Sequence, residues 1–228
     1  IIAPSSVVPQ AELSLGVREL REHGFEVAVD PQVKKKDLFF AGSHAERAQA
    51  LVEAAYSDQV DVIWCARGGY GSNHLLASLE RAFREKGVPS KRKLMVGSSD
   101  ATSLLEFARS RWKFSALHSP MPGLKSFGLL AQDQKNSILT SIRGECSHPS
   151  FKLKWWGSPP GQDLTGRLVG GNLTVWNTLL GTPFQPRHSQ KDAILFLEDV
   201  TETLPRLDRA FRHLVDAGGF EGVRALVL

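Results

Sequence analysis

The 228-residue sequence has little cysteine, no long apolar run and no clustered charge, and each shortage excludes a class of protein. Two cysteines, Cys65 and Cys146, are too few for a disulfide framework or a zinc cage. Cys65 stands inside an apolar run and reads as a small buried hydrophobe. The longest clean apolar run, residues 193–197, has the length of a strand, whereas a bilayer requires roughly 20 such residues. No membrane association is expected. A signal-peptide pattern is missing as well, so a reducing cytoplasm is the expected compartment. The net charge is +4, but basic residues gather only in the short groups Lys34-Lys35-Lys36 and Lys91-Arg92-Lys93. These read as solvated loops, and no nucleic-acid partner is expected. Internal repeats and low-complexity tracts are absent too.

What is there is the composition of a folded globule. A hydrophobic content of 42% is too high, and the net charge too low, for a mainly disordered chain. The first half alternates strand-like and helix-like stretches. Residues 1–3, 25–29, 60–65, 94–96 and 114–117 read as strands, with amphipathic helices between them. Strands joined through helices imply crossover connections and a mainly parallel α/β sheet covered on both faces. Ligands of such sheets bind beyond the carboxyl ends of the strands. The two most unusual loops, after Cys65 and after Val96, both fall at that edge.

A composition shift around Ser158-Pro159-Pro160-Gly161 reads as a linker. We therefore expect an N-terminal domain over residues 1–147, a linker over 148–162 and a smaller α/β domain over 163–228. In that second part, residues 164–169 read as a strand, Gly170-Gly171-Asn172 as a turn, 193–197 as a strand ending at Glu198-Asp199, and 206–217 as a helix. The run 223–228 is strand-like. The chain opens in one apolar run and closes in another, so we expect the natural protein to extend further at both ends.

Gly97-Ser98-Ser99-Asp100-Ala101 has a strand before it and a helix after it. A serine on such a turn projects its hydroxyl at the ligand edge, with helix N–H groups behind it for a developing oxyanion. Ser99 thus reads either as a nucleophile or as a plain N-cap. Arg67-Gly68-Gly69-Tyr70-Gly71 lacks the residues of a P-loop, yet its glycines let the backbone approach a ligand closely. Its reading is an oxyanion-hole loop or an ordinary tight turn. Glu198 at a strand end could orient a histidine or simply be solvated. Of His23, His44, His74, His118, His148, His188 and His213, His118 alone is placed near the Ser99 edge, where a packed structural role is also open.

Together these segments resemble the LD-carboxypeptidase family of serine peptidases, which includes the microcin C resistance hydrolases. The resemblance runs in order through Ile2-Ala3-Pro4-Ser5-Ser6, the 67–71 loop, Gly97-Ser98-Ser99-Asp100 and His118-Ser119-Pro120-Met121. It continues through residues 166–173, Gly181-Thr182-Pro183, Leu195-Phe196-Leu197-Glu198-Asp199 and Asp208-Arg209. It implies a Rossmann-like N-terminal domain, a smaller C-terminal domain and a Ser-Glu-His triad between them. Ser99 would be the nucleophile, Glu198 the carboxylate orienting the base, and the N–H groups of Gly69 and Asp100 the oxyanion hole. Arg67, Tyr70 and Ser98 are the candidate substrate-binding residues, Arg67 as a carboxylate clamp.

The implied reaction removes the terminal D-alanine of a murein tetrapeptide during cell-wall recycling. The implied enzyme is a cytoplasmic homodimer without metal or cofactor. Two positions depart from the family pattern: Ser98 replaces an aromatic residue, and Ser119 replaces a glycine. The family's catalytic histidine lies well downstream of the Glu198 segment, and His213 matches no family motif, so that histidine is expected outside this sequence. Two rivals remain. One is a microcin-type hydrolase of peptidyl or aminoacyl nucleotides, with Trp155, Trp156 and Trp176 available as platforms or, alternatively, as core. The other is a non-catalytic murein-peptide binder.

Overall fold

The computed structural model describes residues 1–145, 150–158, 161–186 and 192–228. Cys146, His148, His188 and the Pro159-Pro160 pair lie outside the described residues. The chain forms two three-stranded parallel sheets, each wound with helices, in agreement with the α/β class expected from the alternating pattern.

Three helices precede or flank the first sheet: α1 (Gln10–Glu22), α2 (His44–Tyr56) and α3 (Leu76–Lys86). Ser43 starts α2 through a reciprocal capping box with Glu46, which satisfies two otherwise orphaned N–H groups. The first sheet runs β1 (Val62–Trp64), β2 (Leu94–Gly97) and β3 (Ser115–His118), in that order and all parallel. Residues 1–3 contribute only a single parallel bridge from Ile2 to Cys65. Residues 25–29 are not a strand. Their pattern favours extension, but the pairing goes no further than Ile1, whose amino group donates to the Ala28 carbonyl at 2.6 Å and whose carbonyl accepts from the Asp30 N–H at 3.0 Å.

Between β2 and β3 run α4 (Thr102–Phe107) and one π turn, Ala108–Trp112, whose buried Trp112 packs edge-on to Phe107 and Tyr56. The helices α5 (Lys125–Gly128) and α6 (Gln132–Arg143) follow β3. The main core of this half includes Leu51, Ile63, Leu79, Met95 and Leu104, all essentially buried. Full burial of such a side chain contributes about 1.5–3 kcal/mol.

The second sheet runs β4 (Arg167–Asn172), β5 (Ala193–Glu198) and β6 (Val223–Val227), again parallel, with α7 (Leu173–Leu179) and α8 (Leu204–Asp216) as crossovers. It has its own core around Val169, Trp176, Leu195, Leu197 and Leu214. Gly170-Gly171-Asn172 belongs to β4 and is not the expected turn. A Cβ on Gly170 would sit 1.8 Å from the Phe196 carbonyl oxygen, and one on Gly171 2.6 Å from Thr102 Oγ1. These glycines serve close approach. Trp176 is core, whereas Trp155 and Trp156 are exposed rather than packed.

Candidate active site

The carboxyl edges of the two sheets come together. In the first, Gly97 pairs in register with His118; in the second, Asn172 pairs with Glu198. The Asn172 N–H donates to Thr102 Oγ1 at 3.0 Å, tying the end of β4 to the start of α4. The missing Cβ of Gly171 is what lets α4 lie that close.

At the end of β2 the chain turns sharply. Ser98 is extended, Ser99 takes φ +56°, and Ser99–Ala101 form one 3-10 turn leading into α4. A left-handed serine is disfavoured by its Cβ and persists only where the surroundings impose it. The imposition is visible: a Cβ on Gly97 would lie 2.8 Å from the Ala101 Cβ and 3.2 Å from Cys65 Sγ. The turn carries Ser99 to the surface while Asp100 is buried behind it. Cys65, fully buried beneath, has its thiol pushed up to about 12 by burial and stays inert.

The glycine loop after β1 folds over this turn. A Cβ on Gly68 would stand 3.2 Å from the Ser99 Cβ, so the loop backbone lies directly against the serine. Gly69 has φ +110°, and a Cβ there would fall 2.3 Å from Ser6 Oγ. Ser6 Oγ accepts from the Tyr70 N–H at 3.1 Å and fixes the loop from the other side. Arg67 Nη1 donates to the Val7 carbonyl at 2.8 Å, anchoring one arm of its fork. Tyr70 is exposed, its ring beside those of Phe39 and Phe40.

A buried polar network that the sequence did not announce braces both loops. Asp100 Oδ2 accepts from Ser5 Oγ at 2.5 Å and from the Ser72 N–H at 2.9 Å, while Ser72 Oγ donates to the Asp100 carbonyl. Arg47, wholly buried, donates to the carbonyls of Pro4 and Gly71 and covers the Phe40 ring at 4.5 Å. A capping serine would have been the only local signal at Ser72.

Glu198, half-buried, closes the site from the second sheet. Burial, and secondarily the neighbouring Asp199 charge, hold its carboxyl above the usual range, while a hydrogen bond from Asn172 acts in the opposite sense. His118 Nε2 lies 3.5 Å from Glu198 Oε1, and its ring meets Phe196 edge-on at 5.2 Å. Burial pulls the His118 pKa down, which favours the neutral imidazole. His213 is exposed on α8. Among the described residues no group of three His, Cys, Asp or Glu side chains could hold a metal ion, and no helix is long and apolar enough to cross a membrane.

Residues 1–119 match the LD-carboxypeptidase N-terminal domain, and residues 165–228 match the LD-carboxypeptidase C-terminal domain. The murein tetrapeptide carboxypeptidase of Pseudomonas aeruginosa is 29% identical over 223 residues, covering 95% of this chain and 71% of that protein. The microcin C7 self-immunity protein MccF of Escherichia coli is 25% identical, covering 99% of this chain and 72% of that protein. The crystal structure of muramoyltetrapeptide carboxypeptidase from Oxalobacter formigenes superposes with a TM-score of 0.78 at 30% identity, covering 99% of this chain and 73% of that one.

Proposed function

Because the chain belongs to the LD-carboxypeptidase family, we propose that it is a serine carboxypeptidase that releases the terminal D-alanine of a murein tetrapeptide. The observation that carries this reading is the left-handed, exposed Ser99 at the strand-to-helix turn, pressed against the Gly68 backbone. Strain of this kind on a serine at a strand-to-helix turn is what a nucleophile elbow has.

In the proposed reaction Ser99 Oγ attacks the scissile carbonyl carbon, and its proton passes to a histidine that the family resemblance puts downstream of the Glu198 segment. Glu198 orients that histidine and stabilises its charged form. The carbonyl oxygen becomes an oxyanion held by the N–H groups of Gly69 and Asp100. The C–N bond breaks, D-alanine leaves with the proton, and the acyl group remains on Ser99. Water then attacks the ester, returns a proton to Ser99 through the histidine, and frees the shortened peptide. Ser98, next to the serine, and Arg67 and Tyr70 of the glycine loop would meet the peptide; the guanidinium of Arg67 suits a carboxylate.

The family resemblance sets this reaction in cytoplasmic murein recycling by a homodimer. It also motivates the division into domains at 1–147 and 163–228, which the two separate sheets support. A second reading, hydrolysis of an aminoacyl nucleotide, is supported by the adjoining, exposed rings of Phe39 and Tyr70 and by the likeness to MccF.

The test compares two substrates on the full-length natural protein, followed by mass. Release of D-alanine from L-Ala-γ-D-Glu-meso-diaminopimelate-D-Ala, with no turnover of an aminoacyl-sulfamoyl adenosine, supports the carboxypeptidase. The reverse pattern supports the second reading. Inertness toward both, in folded protein, points to a peptide binder.

A further inference from the structure

Among the described residues of the first sheet's edge it is His118 that approaches Glu198, and the triad chemistry leaves it without a task. Its two ring nitrogens face different surroundings. Nε2 stands 3.5 Å from Glu198 Oε1, whereas Nδ1 is buried with no hydrogen-bond partner among the described residues. An N–H on Nδ1 would be a buried donor with nothing among the described residues to receive it, whereas Nε2 is the ring nitrogen that has a carboxylate oxygen within 3.5 Å. The ring cannot swing freely, because Phe196 packs edge-on against it and Ser119, the next residue, is pinned by its N–H to the Gly97 carbonyl at 2.9 Å.

The pair is also the point where the two sheets meet at the site. His118 is in register with Gly97, two residues before Ser99, and Glu198 is in register with Asn172. Glu198 therefore receives one donor from its own sheet, the Asn172 amide, and one approach from the sheet that carries the nucleophile. The neighbouring Asp199 charge repels this carboxylate.

We propose that His118 is a positioning residue: in its Nε2–H form it holds the Glu198 carboxylate from across the two sheets and sets the distance between that carboxylate and the Ser99 turn. The proposal rests on the reading of Glu198 as the group that orients the catalytic base. His118 itself neither attacks nor carries the reaction's proton. With its donor lost, Glu198 keeps Asn172 but can rotate away from the base, which lowers turnover without weakening peptide binding.

The experiment uses the full-length natural protein and the tetrapeptide. The His118→Gln side chain can put an amide N–H where Nε2 stands, whereas that of His118→Asn ends at the position of Nδ1. The expected result is a kcat within about threefold of wild type for Gln and a loss of about 10- to 100-fold for Asn, with KM unchanged in both. Equal kcat values for the two variants, or a loss confined to KM, overturn the proposal. A measurement on wild type needs no variant: long-range ¹H–¹⁵N NMR should report the Nε2–H tautomer of His118, and an Nδ1–H tautomer also overturns it. Ser99→Ala separates the two levels. If it hydrolyses the tetrapeptide like wild type, the reading of the site fails; if it is dead while Asn and Gln behave alike, only the role of His118 fails.

Discussion

Ser5 Oγ donates to Asp100 Oδ2 at 2.5 Å, joining the first turn of the chain to the residue that follows the candidate nucleophile. Asp100 is buried, so its carboxylate has no water to fall back on when a donor is lost. Ser5→Ala leaves it with the Ser72 N–H and should destabilise the protein by about 1–3 kcal/mol. Urea unfolding measures this. A change below about 0.5 kcal/mol, typical of surface substitutions, would mean that the network is not holding the turn.

Gly69→Ala tests the glycine loop. Its new Cβ would fall 2.3 Å from Ser6 Oγ at a backbone φ of +110°, so the loop must move and displace its N–H. The loss of one oxyanion donor predicts a fall in kcat of about 10²–10³-fold. The melting temperature would fall much less than for a core substitution. A variant with wild-type kcat would remove Gly69 from the oxyanion hole.

The strain at Ser99 is measurable as stability. Glycine adopts φ +56° without the Cβ penalty, and alanine does not. Ser99→Gly should therefore be more stable than Ser99→Ala by about 1 kcal/mol, although both lack the hydroxyl. Equal stabilities, compared by chemical denaturation, would show that the left-handed conformation stores nothing.

Glu198 gives a pH signature. Its folded pKa lies above the ordinary 4.5, so between 4.5 and the raised value the native state binds more protons than the unfolded chain. Stability contributed by this group is thus present below 4.5 and lost as pH rises through the raised pKa. Glu198→Gln should stabilise the protein at neutral pH relative to wild type, and that advantage should vanish in acid. Thermal melts across pH decide it; an advantage that grows toward acid would reverse the assignment.

The elements legible in the sequence were those with local causes. Small residues crowded at Gly97-Ser98-Ser99 announced the sharp turn, and the 67–71 glycines announced the close loop. Long-range packing hid the rest. Gly170 and Gly171 carry turn chemistry, but they exist because Phe196 and Thr102 leave no room for a Cβ, and β4 runs straight through them. Residues 25–29 have strand composition without a partner ladder. The 3.5 Å approach of His118 to Glu198 joins residues 80 positions apart, and the Ser5–Asp100 bond spans 95, beyond the reach of any periodicity.

The central claim is that Ser99 is the nucleophile. Its most direct test is the intact mass of the full-length protein after reaction with a fluorophosphonate, followed by peptide mapping. The account predicts one adduct, on the peptide containing Ser99, complete loss of D-alanine release in parallel with labelling, and no adduct on Ser99→Ala. Tetrapeptide hydrolysis that survives full labelling, or an adduct carried by another residue, would contradict it.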